Sequence, residues 1–284
     1  MKYFVGIDLG TSGAKSLLMG ENGEVLGSAR KGYPILKPRQ DWAEQDIEVL
    51  WEAVKETIME LMARFPEEKG NICGVGYSGE MHGLVMVDAA GKPVRNAIIW
   101  ADQRSGKEIE KIYRLIPKEG YSKITRNAVS TGFLAASLLW VKEHEPENYE
   151  KVCRVFLPKD YIRYKMCGEF GTDMTDASST LLFDTARREW AWELIDALDL
   201  DRGFFVPCGE TCEAAGCISR ECARETGLPL HVKVVYGGGD LSLIHIWRKT
   251  FFSGGFAFWN SLDSSPMSAL CAHQAGSGQC HGGI

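Results

Sequence analysis

Apolar residues at Tyr3, Phe4, Val5 and Ile7 predict a short opening strand that ends at Asp8. Residues 14–19 and 25–33 read as two further strands, parted by the turn Glu21-Asn22-Gly23. Then the period changes. Ile47, Leu50, Trp51, Val54, Ile58, Leu61, Met62 and Phe65 recur at helical spacing, with Asp46 as cap or first-turn acid and Pro66 as stop. Strands are predicted again at 72–77 and 232–236, the second running into Gly237-Gly238-Gly239-Asp240. Between these two lies a long, mostly helical insertion that includes 133–144 and 189–200. Three close strands, a helix, then strand–helix alternation give an α/β fold. No Gly-x-Gly-x-x-Gly follows the first strand, and strands one to three are too close for crossover helices, so a dinucleotide-binding fold is excluded.

The pattern breaks after Asp240. From 241 to 284 only Arg248, Lys249 and Asp263 are charged, and no period of 2 or 3.6 emerges. Leu241-Ser242-Leu243-Ile244-His245-Ile246 also resembles the translation of a transposon end used in sequencing libraries. Two segments are therefore expected: a domain over 1–240, and a non-native or artefactual tail over 241–284.

Composition narrows the function classes. Apolar content of 45% and charged content of 25% are those of a soluble globular protein. A net charge of −6 argues against nucleic-acid binding, and no apolar run approaches the ~18 residues of a membrane span. Asp8 falls where a signal peptide would need apolar residues, so a cytoplasmic location is expected. Cys208, Cys212, Cys217 and Cys222 lack the paired C-x2-C spacing of zinc ribbons, and reduced thiols are expected of them.

Four segments could carry chemistry. Asp8-Leu9-Gly10-Thr11-Ser12-Gly13 reads as a turn whose glycines let backbone N–H groups approach an anion; Asp8 could hold Mg²⁺. A plain polar turn would look the same. Tyr77-Ser78-Gly79-Glu80-Met81-His82-Gly83 sets a histidine between glycines, suited to a polyol hydroxyl or to capping local backbone. Trp100-Ala101-Asp102-Gln103-Arg104 pairs an aromatic face with charge, as sugar sites do and as a strand end beside a salt bridge also would. Gly237-Gly238-Gly239-Asp240 offers a backbone path with room for a ligand and a carboxylate able to accept a proton; a loose glycine turn is the alternative.

Together these segments resemble the FGGY family of carbohydrate kinases, from about Tyr3 to Asp240. The likeness also runs through Trp42-Ala43-Glu44-Gln45-Asp46, Leu157-Pro158-Lys159-Asp160-Tyr161 and Thr172-Asp173-Met174-Thr175-Asp176-Ala177. It implies a ribonuclease H-like domain of the actin and hexokinase type with a long helical insertion, and a second, ATP-binding domain missing from this chain. It implies ATP-dependent phosphorylation of a sugar hydroxyl, foremost D-xylulose to D-xylulose 5-phosphate, with ATP and Mg²⁺ as cofactors and a homodimer when full length. By the same resemblance Asp240 is the base and Asp8 the Mg²⁺ carboxylate. Gly10, Thr11 and Ser12 line the phosphates, and Met81 and His82 contact the sugar, with Glu80 and Trp100 beside them. Glu80 departs from the glutamine of many relatives. Glycerol, gluconate or another pentulose remain alternative substrates, and a non-catalytic sugar-binding module remains an alternative function. The 284-residue chain by itself is expected to be inactive.

Overall fold

The structure is a computed structural model, and it describes residues 1–240. The expected tail, 241–284, lies outside the described residues.

A seven-stranded sheet forms the centre. Strands β1 (Tyr3–Gly10), β2 (Gly13–Gly20) and β3 (Val25–Gly32) make an antiparallel meander. On its other side β1 pairs in parallel with β4 (Ile72–Gly79). β4 in turn pairs in parallel with β6 (Lys233–Val235) and, further along, with β7 (Gly238–Gly239). β5 (Ala214–Cys217) runs antiparallel on the far side of β6. The expected first turn is narrower than the sequence implied. β1 continues through Asp8 to Gly10, which pairs with Gly13, so Thr11 and Ser12 alone make the turn. Asp8 is thus a strand residue. The ladder carries it because its side chain points to the open face while Ile7 and Leu9 point to the core.

Helix α1 (Ile47–Arg64) covers the core face, and the periodic residues named above, Ile47 to Met62, are buried on it. Its first turn is capped by Asp46, whose carboxylate accepts the Glu48 N–H at 3.0 Å. The core that α1 covers also holds Val5, Leu18 and Val75 of the sheet and Met166 of a later helix. A second core, around Leu84, Tyr121, Leu138 and Phe183, belongs to the insertion. That insertion is helical at α2 (Leu134–His144), α3 (Pro158–Cys167) and α4 (Met174–Ser179), and α5 (Arg220–Thr226) follows it. The expected helix over 189–200 is corrected. Glu189–Trp190 pairs antiparallel with Phe183–Asp184, and only Trp192–Ala197 is helical. The Trp190 indole N–H donates to Val206 O, an anchor that a pattern of apolar positions does not reveal.

Candidate active site

Strand register brings the candidate acids together. Asp8 lies opposite Ser78 of β4, and Ser78 lies opposite Gly238 of β7. On the next rung Leu9, Gly79 and Gly239 align. Gly10, Glu80 and Asp240 therefore leave the carboxyl ends of three adjacent strands side by side. With strands about 4.8 Å apart, the paths bearing Asp8 and Asp240 run roughly 10 Å apart, flanking β4.

Glu80 lies between them and is only 3% exposed. Neither carboxylate oxygen has a hydrogen-bond partner of good geometry. Burial pushes its carboxyl up to about 7, against the pull of Thr11 and with the charge of Asp240 adding to the rise. The Trp100 indole lies near enough to favour the ionised form slightly, yet its N–H donates to Thr11 Oγ1 at 3.1 Å. The consequence for stability has a definite sign. The folded state retains a proton that the unfolded chain releases above its ordinary value of 4.5, so stability falls as pH rises from 4.5 to about 7. At ~1.4 kcal/mol per pH unit, the loss is about 3 kcal/mol. Glu80→Gln, of the same shape without the charge, is expected to be the more stable protein at pH 8 and no more stable at pH 4.5. Urea unfolding across this range measures the difference, and parallel curves for the two proteins would refute it.

The turn beside Glu80 is held from three sides. Tyr33 donates its hydroxyl to Gly10 O at 2.5 Å, Gln45 Nε2 donates to Thr11 O at 2.8 Å, and Trp100 holds the Thr11 hydroxyl. Ser12 is exposed. Burial raises the Tyr33 hydroxyl above the usual tyrosine range, and the charges of Glu80 and Asp8 add to it. Gln45 belongs to a segment tied down by buried ions. Arg104 meets Asp102 at 2.7 Å and Glu44 at 2.8 Å, and stacks over the Trp42 ring at 3.7 Å. Asp102 also accepts the Ala43 N–H at 2.7 Å. Trp100 remains 47% exposed.

Across β4, His82 adopts a left-handed backbone (φ 78°) and stacks on Phe133 at 3.8 Å. Burial lowers its ring below the usual histidine range, while the Ser179 carbonyl and the charge of Asp240 act the other way. Met81 lies against Gly239: a Cβ there would come within 2.6 Å of Met81 Cγ and 2.9 Å of Asp176 Oδ1. Gly237 has φ 78° and sits on Tyr77, where a Cβ would meet the Tyr77 carbonyl oxygen at 2.8 Å. These two glycines are the close backbone approaches that bring Asp240 alongside β4.

Sequence reasoning assigned no role to the ion cluster beneath. Lys159, fully buried on α3, meets Asp160 at 2.7 Å, Asp173 at 3.0 Å and Asp176 at 3.2 Å. It also donates to Tyr236 O at 3.2 Å, just before the glycines. Burial opposes its charge, but the three carboxylates outweigh burial and hold the ammonium above the ordinary lysine range. Burial pushes the Asp176 carboxyl well above the usual range, with Lys159 opposing and Asp173 and Asp160 adding to the rise. Nothing local in the sequence marks this cluster, because its three acids come from two separate segments and lysine is a residue type normally met in water. A cavity of about 700 Å³ opens elsewhere, between Glu48 of α1, Tyr161 and Lys165 of α3, and Glu221 of α5. None of the candidate residues lines it.

Residues 3–245 match the model of the FGGY family of carbohydrate kinases, N-terminal domain. The chain belongs to this family. The xylulose kinase of Bacillus subtilis (strain 168) is 37% identical over 242 residues, covering 84% of the chain and 48% of that protein. The xylulose kinase of Escherichia coli (strain K12) is 38% identical over 237 residues, with 84% and 48% covered. The crystal structure of a xyloylose kinase from Brucella ovis superposes with TM-score 0.80 at 37% identity, covering 84% of the chain and 49% of that structure. A gluconate kinase from Lactobacillus acidophilus also reaches TM-score 0.80, at 25% identity with 85% and 49% covered. The chain thus spans about half the length of the curated relatives it matches. Its fold is the actin- and hexokinase-like one of FGGY kinases, here as one domain. Among the described residues no helix is long and apolar enough to cross a membrane.

Proposed function

We propose that this chain is the sugar-binding half of an ATP-dependent kinase that converts D-xylulose to D-xylulose 5-phosphate. The observation that supports this most is the register that sets Asp8 and Asp240 on either side of β4, with Glu80, Met81 and His82 at its end. Similarity to xylulose kinases at 37–38% identity favours the ketopentose over glycerol or gluconate.

In this reading Asp240 accepts the proton of the sugar's terminal hydroxyl as that oxygen attacks. His82 and Met81 seat the sugar, and Glu80 and the exposed face of Trp100 border it. The residues present fit a magnesium nucleotide at its phosphate end. The Asp8 side chain is exposed at the strand end, and one or two carboxylates with water suffice for Mg²⁺. Gly10, Thr11 and Ser12 form the turn beside it. When bound, ATP and Mg²⁺ would supply the phosphoryl group and neutralise the charge that builds on it. On its own the chain is proposed to bind sugar without turning over ATP.

Titrating the chain with D-xylulose, glycerol and gluconate while following tryptophan fluorescence tests the proposal. Saturable binding with D-xylulose tightest is expected. Failure of D-xylulose to bind, or tighter binding of either competitor, would overturn it.

A further inference from the structure

We infer that Thr175 is a positioning residue for Asp240, tying the Gly238–Gly239 peptide, one link before the aspartate, to a buried carboxylate. The inference rests on the reading of Asp240 as the base. Thr175 Oγ1 donates to Asp173 Oδ2 at 2.5 Å and accepts the Gly239 N–H at 3.1 Å. Its hydroxyl is thus used in both directions. Asp173 is itself fixed. Its Oδ2 caps α4 by accepting the N–H groups of Thr175 at 2.7 Å and Asp176 at 3.4 Å, and its Oδ1 faces Lys159 Nζ at 3.0 Å. Lys159 also holds Tyr236 O, so both ends of the segment 236–239 are anchored to one buried group.

This segment needs outside support. β7 is two residues long, and a ladder of that length is marginal by itself. Close contact alone does not fix its rotation, because Gly239 has no side chain to lock against Met81. The Thr175 hydrogen bond sets the plane of the Gly238–Gly239 peptide, and through Gly239 the direction in which the chain enters Asp240. A displacement of about 1 Å at a reacting group can cost on the order of 10²-fold in rate. The chemistry demands a hydroxyl: serine can donate to Asp173 and accept from Gly239, whereas valine and alanine can do neither.

His82 reports where Asp240 stands, since the charge of Asp240 favours the imidazolium. Around His82 lie the Phe133 ring and the Ser179 carbonyl. The experiment follows the His82 ring by NMR through a pH titration of the 284-residue chain, the resonance assigned by its loss in His82→Gln. Asp240→Asn should move the His82 titration to lower pH than in the wild type. Thr175→Val and Thr175→Ala should move it in the same direction, and Thr175→Ser should leave it at the wild-type position. A loss of stability alone would not produce this pattern, and if the valine variant does not fold, alanine carries the test. Should Asp240→Asn move His82 while valine and alanine leave it unmoved, the positioning role is overturned and the base assignment stands. Should Asp240→Asn itself leave His82 unmoved, the proposed site falls and the inference with it.

Discussion

Lys159→Met is expected to lower the unfolding free energy at pH 8 by about 3–5 kcal/mol, the cost of removing one partner of a buried ion cluster. Methionine fills similar volume, so the loss is electrostatic rather than a cavity effect. The three carboxyls that face Lys159 are fully buried, and without the ammonium they can remain so only by binding protons. The deficit should therefore shrink as pH falls towards 4, because the unfolded chain then gives up less by folding with protonated acids. Guanidinium unfolding of both proteins at pH 4.5 and 8 measures this. A variant as stable as wild type at pH 8 would show that the cluster is not held by its lysine. An equal deficit at both pH values would show that packing, not charge, is at stake.

The second large effect concerns chemistry. On the proposed function, and in a form of the chain joined to an ATP-binding half, Asp240→Asn should lower kcat for D-xylulose by about 10²–10⁴-fold, the usual contribution of a positioned base. The KM for sugar should stay within a few-fold of wild type, since asparagine keeps the shape and one acceptor. Coupled measurement of ADP release gives both constants. Turnover near the wild-type rate would remove Asp240 from the role of base.

The hydrophobic pattern was enough to place β1, β2, β4 and α1, because each carries a largely buried face or run, while β3, which buries only Ala29, was marked by the turn Glu21-Asn22-Gly23 before it. It stretched the Thr11–Ser12 turn to include Asp8, since a polar residue at the edge of a strand looks like a loop residue until its ladder partner is known. It also took Glu189 and Trp190 for helix, because a two-residue ladder has no period to detect. Asp8, Glu80, His82 and Asp240 were legible as chemistry-bearing types in strand-end positions. The supports were not. Gln45 to Thr11, Tyr33 to Gly10 and Thr175 to Gly239 are single polar contacts between remote segments, and nothing local in the chain marks them. Lys159 is the clearest case: a residue type normally met in water becomes the centre of a core once three acids from two segments surround it.

The pairing of β7 with β4 has a further consequence, for the order of events during synthesis. β1, β2, β3, α1 and β4 can form from neighbouring chain as soon as it leaves the ribosome. Gly238 and Gly239 meet Ser78 and Gly79 only after the whole helical insertion has been made. Nascent chains halted before residue 236 should therefore hold a folded meander with an incomplete candidate site. Arrival of the final glycines then completes the pairing back onto β4 and delivers Asp240 to the site.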